Sequence, residues 1–361
     1  MGKYTHHFNN TSSLESLRNG VGYIEPWVSI TDGEGVDFNK KMREKYLTFR
    51  ITGPGKIIWM SDSTYVNHVI YYSKNGSEWT SISSQNQGNA FSVHAGDIVQ
   101  FKGDYSSYNL HYYDKSEEMY LDDASSFVGS TCQFTVEGNI MSLINSTSFS
   151  NLTEFSANST YNFYGLFQEC TGLTDASNLI LPVLTMTSHC YCNMFKGCTN
   201  LTAVPKFPAT TLAIYCYSDM FKNCSSLVRA PELPVLTMTQ YAYYEMFSGC
   251  TSLSYAPALP ATTLESSCYG FMFNGCTSLT TAPELPAITL VNNCYNSMFK
   301  NCSSLNYVKA MFTTTPSTTY TRDWLSGVAS SGTFVKNSAA QWNVTGTNGV
   351  PSGWTVQTSD N

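Results

Sequence analysis

One spacing constrains this chain more than any other feature. Met194-Phe195, Met220-Phe221, Met246-Phe247, Met272-Phe273 and Met298-Phe299 recur every 26 residues, and a fixed period of that length signals stacked structural units. Each Phe is followed three residues later by Cys (Cys198, Cys224, Cys250, Cys276, Cys302) and then by Leu (Leu201, Leu227, Leu253, Leu279, Leu305). A drifted first copy lies at Leu166-Phe167 with Cys170 and Leu173. It precedes the next copy by 28 residues, the extra two falling within Asn178 to Leu181.

Within Thr262 to Pro286 two periodicities follow one another. Leu264, Cys268, Met272, Phe273 and Cys276 lie four, four, one and three residues apart, which predicts one face of a helix capped by Thr262-Thr263. Leu279 to Leu285 carries Pro283, which a helix interior excludes, and predicts a short strand with its turn. A helix and a strand of this size cannot bury their own apolar face, whereas stacked copies bury a continuous one. The expected architecture is an α/β leucine-rich-repeat solenoid of about six repeats.

The flanks have other textures. From Tyr46 to about Thr135, apolar and polar residues alternate in short runs punctuated by Gly, Asn and Ser, with Asn75-Gly76 as a hairpin signal. These features predict an antiparallel β-sandwich. Residues 1–45 show neither period and hold one apolar knot, Tyr23, Ile24, Pro26 and Trp27. They form either an arm that anchors on another protein or one that folds back on the sandwich. Residues 311–361 lose the repeat but keep Trp324, Trp342 and Trp354, as expected of a unit closing the last apolar face. The chain is thus expected to be multidomain: arm 1–45, sandwich 46–135, solenoid 136–310 and cap 311–361.

Composition narrows the partners. Charged residues are only 12% of the chain and the net charge is -7, so a basic stripe for nucleic acid is not expected. No apolar run is long enough to span a bilayer. Met1 to Asn10 has no charged-then-apolar pattern, so no Sec-type export signal is expected. Ten of the 12 Cys fall in two columns, one headed by Cys170 and the other made of Cys190, Cys216, Cys268 and Cys294. Asn162 and Ala242 interrupt the second column, which disfavours a disulfide ladder. Zinc spacing is absent, so buried reduced thiols acting as small hydrophobes are expected.

The repeats, with MFxGCTSL, APxLPATTL and CYxxMF, resemble the BspA-type leucine-rich repeats of surface proteins from gut Bacteroides-group bacteria and their phages. The match is close from about Phe163 to Leu305. The flanking segments Tyr46 to Gly103, Val136 to Ile144 and Gly332 to Val356 are similar to companions of such repeats. The resemblance implies an adhesive or virion-associated protein and no catalytic role.

The chain's own residues agree in offering no reactive constellation. His6, His7, His68, His94, His111 and His189 stand in no metal-binding or nucleophile-activating spacing. Glu117, Glu118, Asp122 and Asp123 cluster without an EF-hand pattern, and glycoside hydrolysis would need a distant carboxylate pair such as Glu232 and Glu284. No enzyme activity, cofactor or metal is expected. The variable strand positions Lys206, Arg229, Glu232, Tyr255, Glu284 and Tyr307 are the expected ligand face, taking a host protein or glycan. The arm would join other virion proteins, and homo-oligomers are compatible with this plan. The expected function is a phage structural or receptor-binding protein on the virion surface, made in the host cytoplasm; the alternative is a bacterial cell-surface adhesin.

Overall fold

Alternating apolar residues build the N-terminal sheet. The computed structural model describes residues 41, 43–61, 68–84, 90–104, 111–114, 119–122, 125–156 and 159–360. The anchor residues Tyr23, Ile24, Pro26 and Trp27 lie outside them. In chain order the strands are β1 (Leu47–Gly53), β2 (Gly55–Ile58), β3 (Met60–Ser61), β4 (Val69–Lys74), β5 (Thr80–Ser83), β6 (Ala90–Val93), β7 (Ile98–Lys102), β8 (His111–Asp114), β9 (Met119–Asp122), β10 (Ser125–Ser126), β11 (Gln133–Asn139), β12 (Leu173–Ile180), β13 (Tyr307–Ala310), β14 (Thr333–Asn337) and β15 (Thr355–Ser359). Asn75 and Gly76 take φ of 55° and 76°, as the turn between β4 and β5 requires. Lys40–Asn361 forms one compact unit.

The sandwich expectation is corrected. The main sheet is six-stranded and open, in the order β12-β11-β1-β7-β4-β5, while β2–β6, β3–β10 and β8–β9 are separate two-stranded ribbons. Strand β11 is antiparallel to β1 but parallel to β12, which belongs to the first repeat. The reason is local. Gly172 lies so close to the Cys132 carbonyl that a Cβ would overlap it, and this approach lets the Phe134 N–H donate to the Gly172 carbonyl at 3.0 Å. The sheet edge is therefore extended by the repeats.

The α/β solenoid is corrected more deeply: no residue from 159 to 360 is α-helical. In the coil that should carry the helix, the N–H groups of Cys268, Gly270, Met272, Asn274 and Cys276 donate three residues back. Those of Ser267, Tyr269, Phe271, Phe273 and Gly275 donate to the next coil, at Asn292, Cys294, Asn296, Met298 and Lys300. An α-helix would bind every amide four residues back and leave none for its neighbour. A train of turns divides the amides between closing itself and joining the stack. Ser267, Phe271 and Gly275 hold φ of 56°, 56° and 75°, one left-handed residue per turn, which repeats side-chain direction every four residues. Leu264, Cys268, Met272, Phe273 and Cys276 are accordingly buried, although no helix carries them. Thr262 and Thr263 are exposed and have no helix to cap. Leu279 to Leu285 is extended and joins the next coil through bridges at Thr281 and Leu285.

Three columns of side chains fill the stack. Phe167, Phe195, Phe221, Phe247, Phe273 and Phe299 stack with centroids 5.4 to 5.7 Å apart. Tyr191, Tyr217, Tyr243, Tyr269 and Tyr295 stack at 5.9 to 6.2 Å and end on Trp324. The thiols of Cys198, Cys224, Cys250, Cys276 and Cys302 each donate to the carbonyl of a Phe one coil earlier, at 3.0 to 3.2 Å. Phe49, stacked on Phe134 at 4.4 Å and 6.0 Å from Phe167, joins the sheet's core to the Phe column.

The 26-residue register outlasts its motif. Tyr307 of β13 pairs with Thr333 of β14, 26 residues on, and the Phe299 amide donates to the Trp324 carbonyl where earlier coils present Met. Residues 311–337 are thus one more coil in which Trp has replaced the Met of the motif. The indole N–H groups of Trp324, Trp342 and Trp354 donate to the carbonyls of Gly349, Phe312 and Ala329, so these large side chains close the stack without stranding a buried donor.

Candidate functional site

The coil stack turns the sequence period into surface columns. A residue and the one 26 positions on occupy the same place in adjacent coils, as the parallel bridges Arg229 to Tyr255 and Thr281 to Tyr307 record. One column therefore runs Ala203, Arg229, Tyr255, Thr281, Tyr307. Lys206, Glu232, Ala258 and Glu284 hold another, three residues further along each coil. The six residues expected from sequence fall on these two neighbouring columns.

They are not equally available. Tyr255 is 54% exposed, and the Arg229 guanidinium carbon lies 4.1 Å from its ring centroid, a cation–π contact that preorganises the guanidinium. Among the described residues no carboxylate is within ion-pair distance of Arg229. Val228, beside it, is 45% exposed. Lys206 and Glu232 are exposed and occupy equivalent positions in successive coils. Glu284 instead pairs with Lys309 at 3.1 Å, and Tyr307 is half-buried. Lys309 and Val228 were not expected from sequence. Lys309 lies 25 rather than 26 residues beyond Glu284, in β13, where the strand Tyr307–Ala310 departs from the simple register.

One further surface column was not expected from sequence. Tyr161, His189, Tyr215 and Tyr241 stack on the half-exposed turn side, with centroids 4.2, 4.7 and 4.4 Å apart. All four have φ between 56° and 58°. The 26-residue spacing of Tyr215 and Tyr241 was the available signal. Stacked face to face, these four rings are each half-buried. Burial and the neighbouring Tyr241 push the Tyr215 phenol above its ordinary value.

Among the described residues, no reactive constellation assembles. All 12 cysteines are buried and outside disulfides, and desolvation pushes up the thiols of the two columns and of Cys132, with Cys132 and Cys294 at about 11 and Cys216, Cys250 and Cys302 at about 12. Such thiols stay protonated and unreactive at neutral pH. Among the described residues no group of three His, Cys, Asp or Glu is placed to hold a metal ion. His68 is buried with Nδ1 2.7 Å from Ser125 Oγ, and His94 faces Asp97 at 3.9 Å. His6, His7, Glu117, Glu118 and Asp123 lie outside the described residues, and only backbone is described at His111 and Asp122. Glu232 and Glu284 stand in one column two coils apart, with Glu284 occupied by Lys309. Among the described residues, a cavity of about 330 Å³ is lined by Val69, Tyr72, Ser81, Ile82, Ser83, Ala90 and Phe91, none of them a carboxylate, imidazole or thiol. No helix among the described residues is long and apolar enough to cross a membrane.

Compared with protein-family models, curated proteins and solved structures, the chain has no significant match.

Proposed function

We propose that this chain is a non-enzymatic structural or receptor-binding component of a phage virion, of fibre or decoration type, whose coil stack displays a ligand face to a host surface protein or glycan. The observation that carries this proposal is the contrast between an invariant interior and a variable exterior. Phe, Tyr and Cys repeat unbroken along three buried columns from Tyr191 to Cys302, while Arg229, Tyr255, Lys206 and Glu232 change from coil to coil on one exposed face. A rigid frame with varied exposed Tyr and Arg suits recognition, because the aromatic and guanidinium groups contribute contact area at little conformational cost. Residues 1–45 are assigned to attachment to other virion proteins. The resemblance to surface proteins of Bacteroides-group bacteria supports the second reading, a cell-surface adhesin.

The test is binding of the purified chain to host cells and to a glycan array. Arg229→Ala and Tyr255→Ala are expected to lower binding at least tenfold, and Thr262→Ala to leave it unchanged. Equal binding by all three variants would move the ligand face elsewhere. Immunolabelling of particles then separates virion from cell surface.

A further inference from the structure

The outer edge of β15 is a self-complementary strand. β15 lies at the end of the parallel sheet β13-β14-β15. The Thr355 N–H donates to the Gly332 carbonyl at 2.8 Å, and the Ser359 carbonyl accepts from the Ser338 N–H at 2.9 Å. In a parallel ladder alternate residues face the partner strand, so Thr355, Gln357 and Ser359 face β14. Val356 and Thr358 therefore direct two N–H and two C=O groups outward. Side chains do not shield them: residues 355–358 are all exposed, Val356 at 47%, whereas the three central residues of β14 are buried. Lys, Pro and bulges, the usual protections of an edge, are absent from Thr355-Val356-Gln357-Thr358-Ser359.

We infer that this edge pairs with the same edge of a second copy, antiparallel about a two-fold axis at Gln357. The register follows from parity. A dyad at Gln357 sets Val356 opposite Thr358 of the second copy and Thr358 opposite its Val356. Both become hydrogen-bonded pairs that exchange two bonds each, so every outward group on both strands is satisfied. A dyad one residue either way sets Val356 or Thr358 opposite a residue outside β15. The five residues are uncharged, so no like charges oppose across the pair. The two Gln357 residues meet in the non-hydrogen-bonded pair at the axis, and two three-stranded sheets become one of six.

Three measurements on the whole chain test this. Light scattering is expected to read twice 40.0 kDa at high concentration, falling to 40.0 kDa on dilution. Thr358→Pro removes an outward donor that β14 does not use, so it is expected to stay monomeric with an unshifted melting curve. Gln357→Cys places two thiols at the axis within disulfide reach and is expected to give a covalent dimer on a non-reducing gel, which the exposed loop variant Ser352→Cys does not. The proposal is overturned by a wild-type chain that stays at 40.0 kDa or forms trimers or fibres, by a proline variant that still dimerises, or by equal cross-linking of the two cysteine variants.

Discussion

The N-terminal sheet and the coil stack spend their backbone hydrogen bonds in opposite ways, although their cores are alike. In the sheet, β1 lies between β7 and β11 in antiparallel ladders and buries Leu47, Phe49 and Ile51 on alternate positions. In the stack, five amides of a coil close its own turns and five reach the next coil. A sheet strand is fixed by neighbours distant in sequence, whereas a coil is fixed by copies of itself one period away. The sheet should therefore respond to damage as a unit and the stack coil by coil.

The strongest test of this contrast removes one ring from each region. Phe273→Ala deletes a fully buried ring stacked on both sides and should cost about 3 to 5 kcal/mol in denaturant melts; Leu264→Ala should cost about 2 to 5 kcal/mol. Hydrogen exchange should quicken in the coils around 247–299 and leave β1 and β7 protected. Phe49→Ala, at the junction of Phe101, Phe127 and Phe134, should loosen the whole sheet. Equal quickening throughout the chain after Phe273→Ala would remove the distinction.

Alkali should act next, and mainly on the stack. Burial raises the thiols in the folded chain, with Cys250 and Cys302 at about 12 against an ordinary value of 9.0. The folded state therefore holds protons that the unfolded state releases. Their contribution is complete below about pH 9 and is lost as pH rises toward 12, by roughly 1.4 kcal/mol per pH unit for each thiol ionised only in the unfolded chain. The buried tyrosines of the Tyr column, also raised by desolvation, add in the same direction. Melting temperature between pH 7 and 11 checks this, and a value that rose with pH would contradict it.

A smaller effect distinguishes turns from helix by its sign. Gly275 has φ of 75°, and a Cβ there would meet nothing nearer than 3.8 Å. Gly275→Ala should therefore lose about 1 to 2 kcal/mol from left-handed strain alone, whereas within a helix the same change would gain up to about 1 kcal/mol. Smallest is Glu284→Ala, which breaks an exposed pair with Lys309 and should change stability by no more than about 0.5 kcal/mol.

Part of the fold was legible in the residues, and the two failures have separate causes. The period, the buried side chains of each repeat and the turn at Asn75-Gly76 are all where the sequence places them. Backbone conformation in the repeats was not legible from apolar spacing, because a four-residue turn train and a helix both bury positions such as Leu264, Cys268, Met272 and Cys276. The discriminating signal was the residue before each ladder Cys. Gly197, Asn223, Gly249, Gly275 and Asn301 are all left-handed, and Gly and Asn are the residue types that tolerate that conformation best. The sandwich failed for a different reason, since nothing in β11 marks that its free edge takes a parallel strand from the first repeat. For the proposed ligand face, the 26-residue period was enough to bring Arg229 beside Tyr255. The partnership of Glu284 with Lys309 needed the altered register of β13.

Hydrogen-bond scalar couplings across the repeats test the turn-train account most directly. A coupling is predicted from the Phe247 amide to the Met272 carbonyl, 2.9 Å away in the next coil, and from the Ser248 amide to the Glu245 carbonyl at 3.0 Å. Couplings from both amides to carbonyls four residues earlier, at Tyr243 and Tyr244, would contradict it and restore the helix.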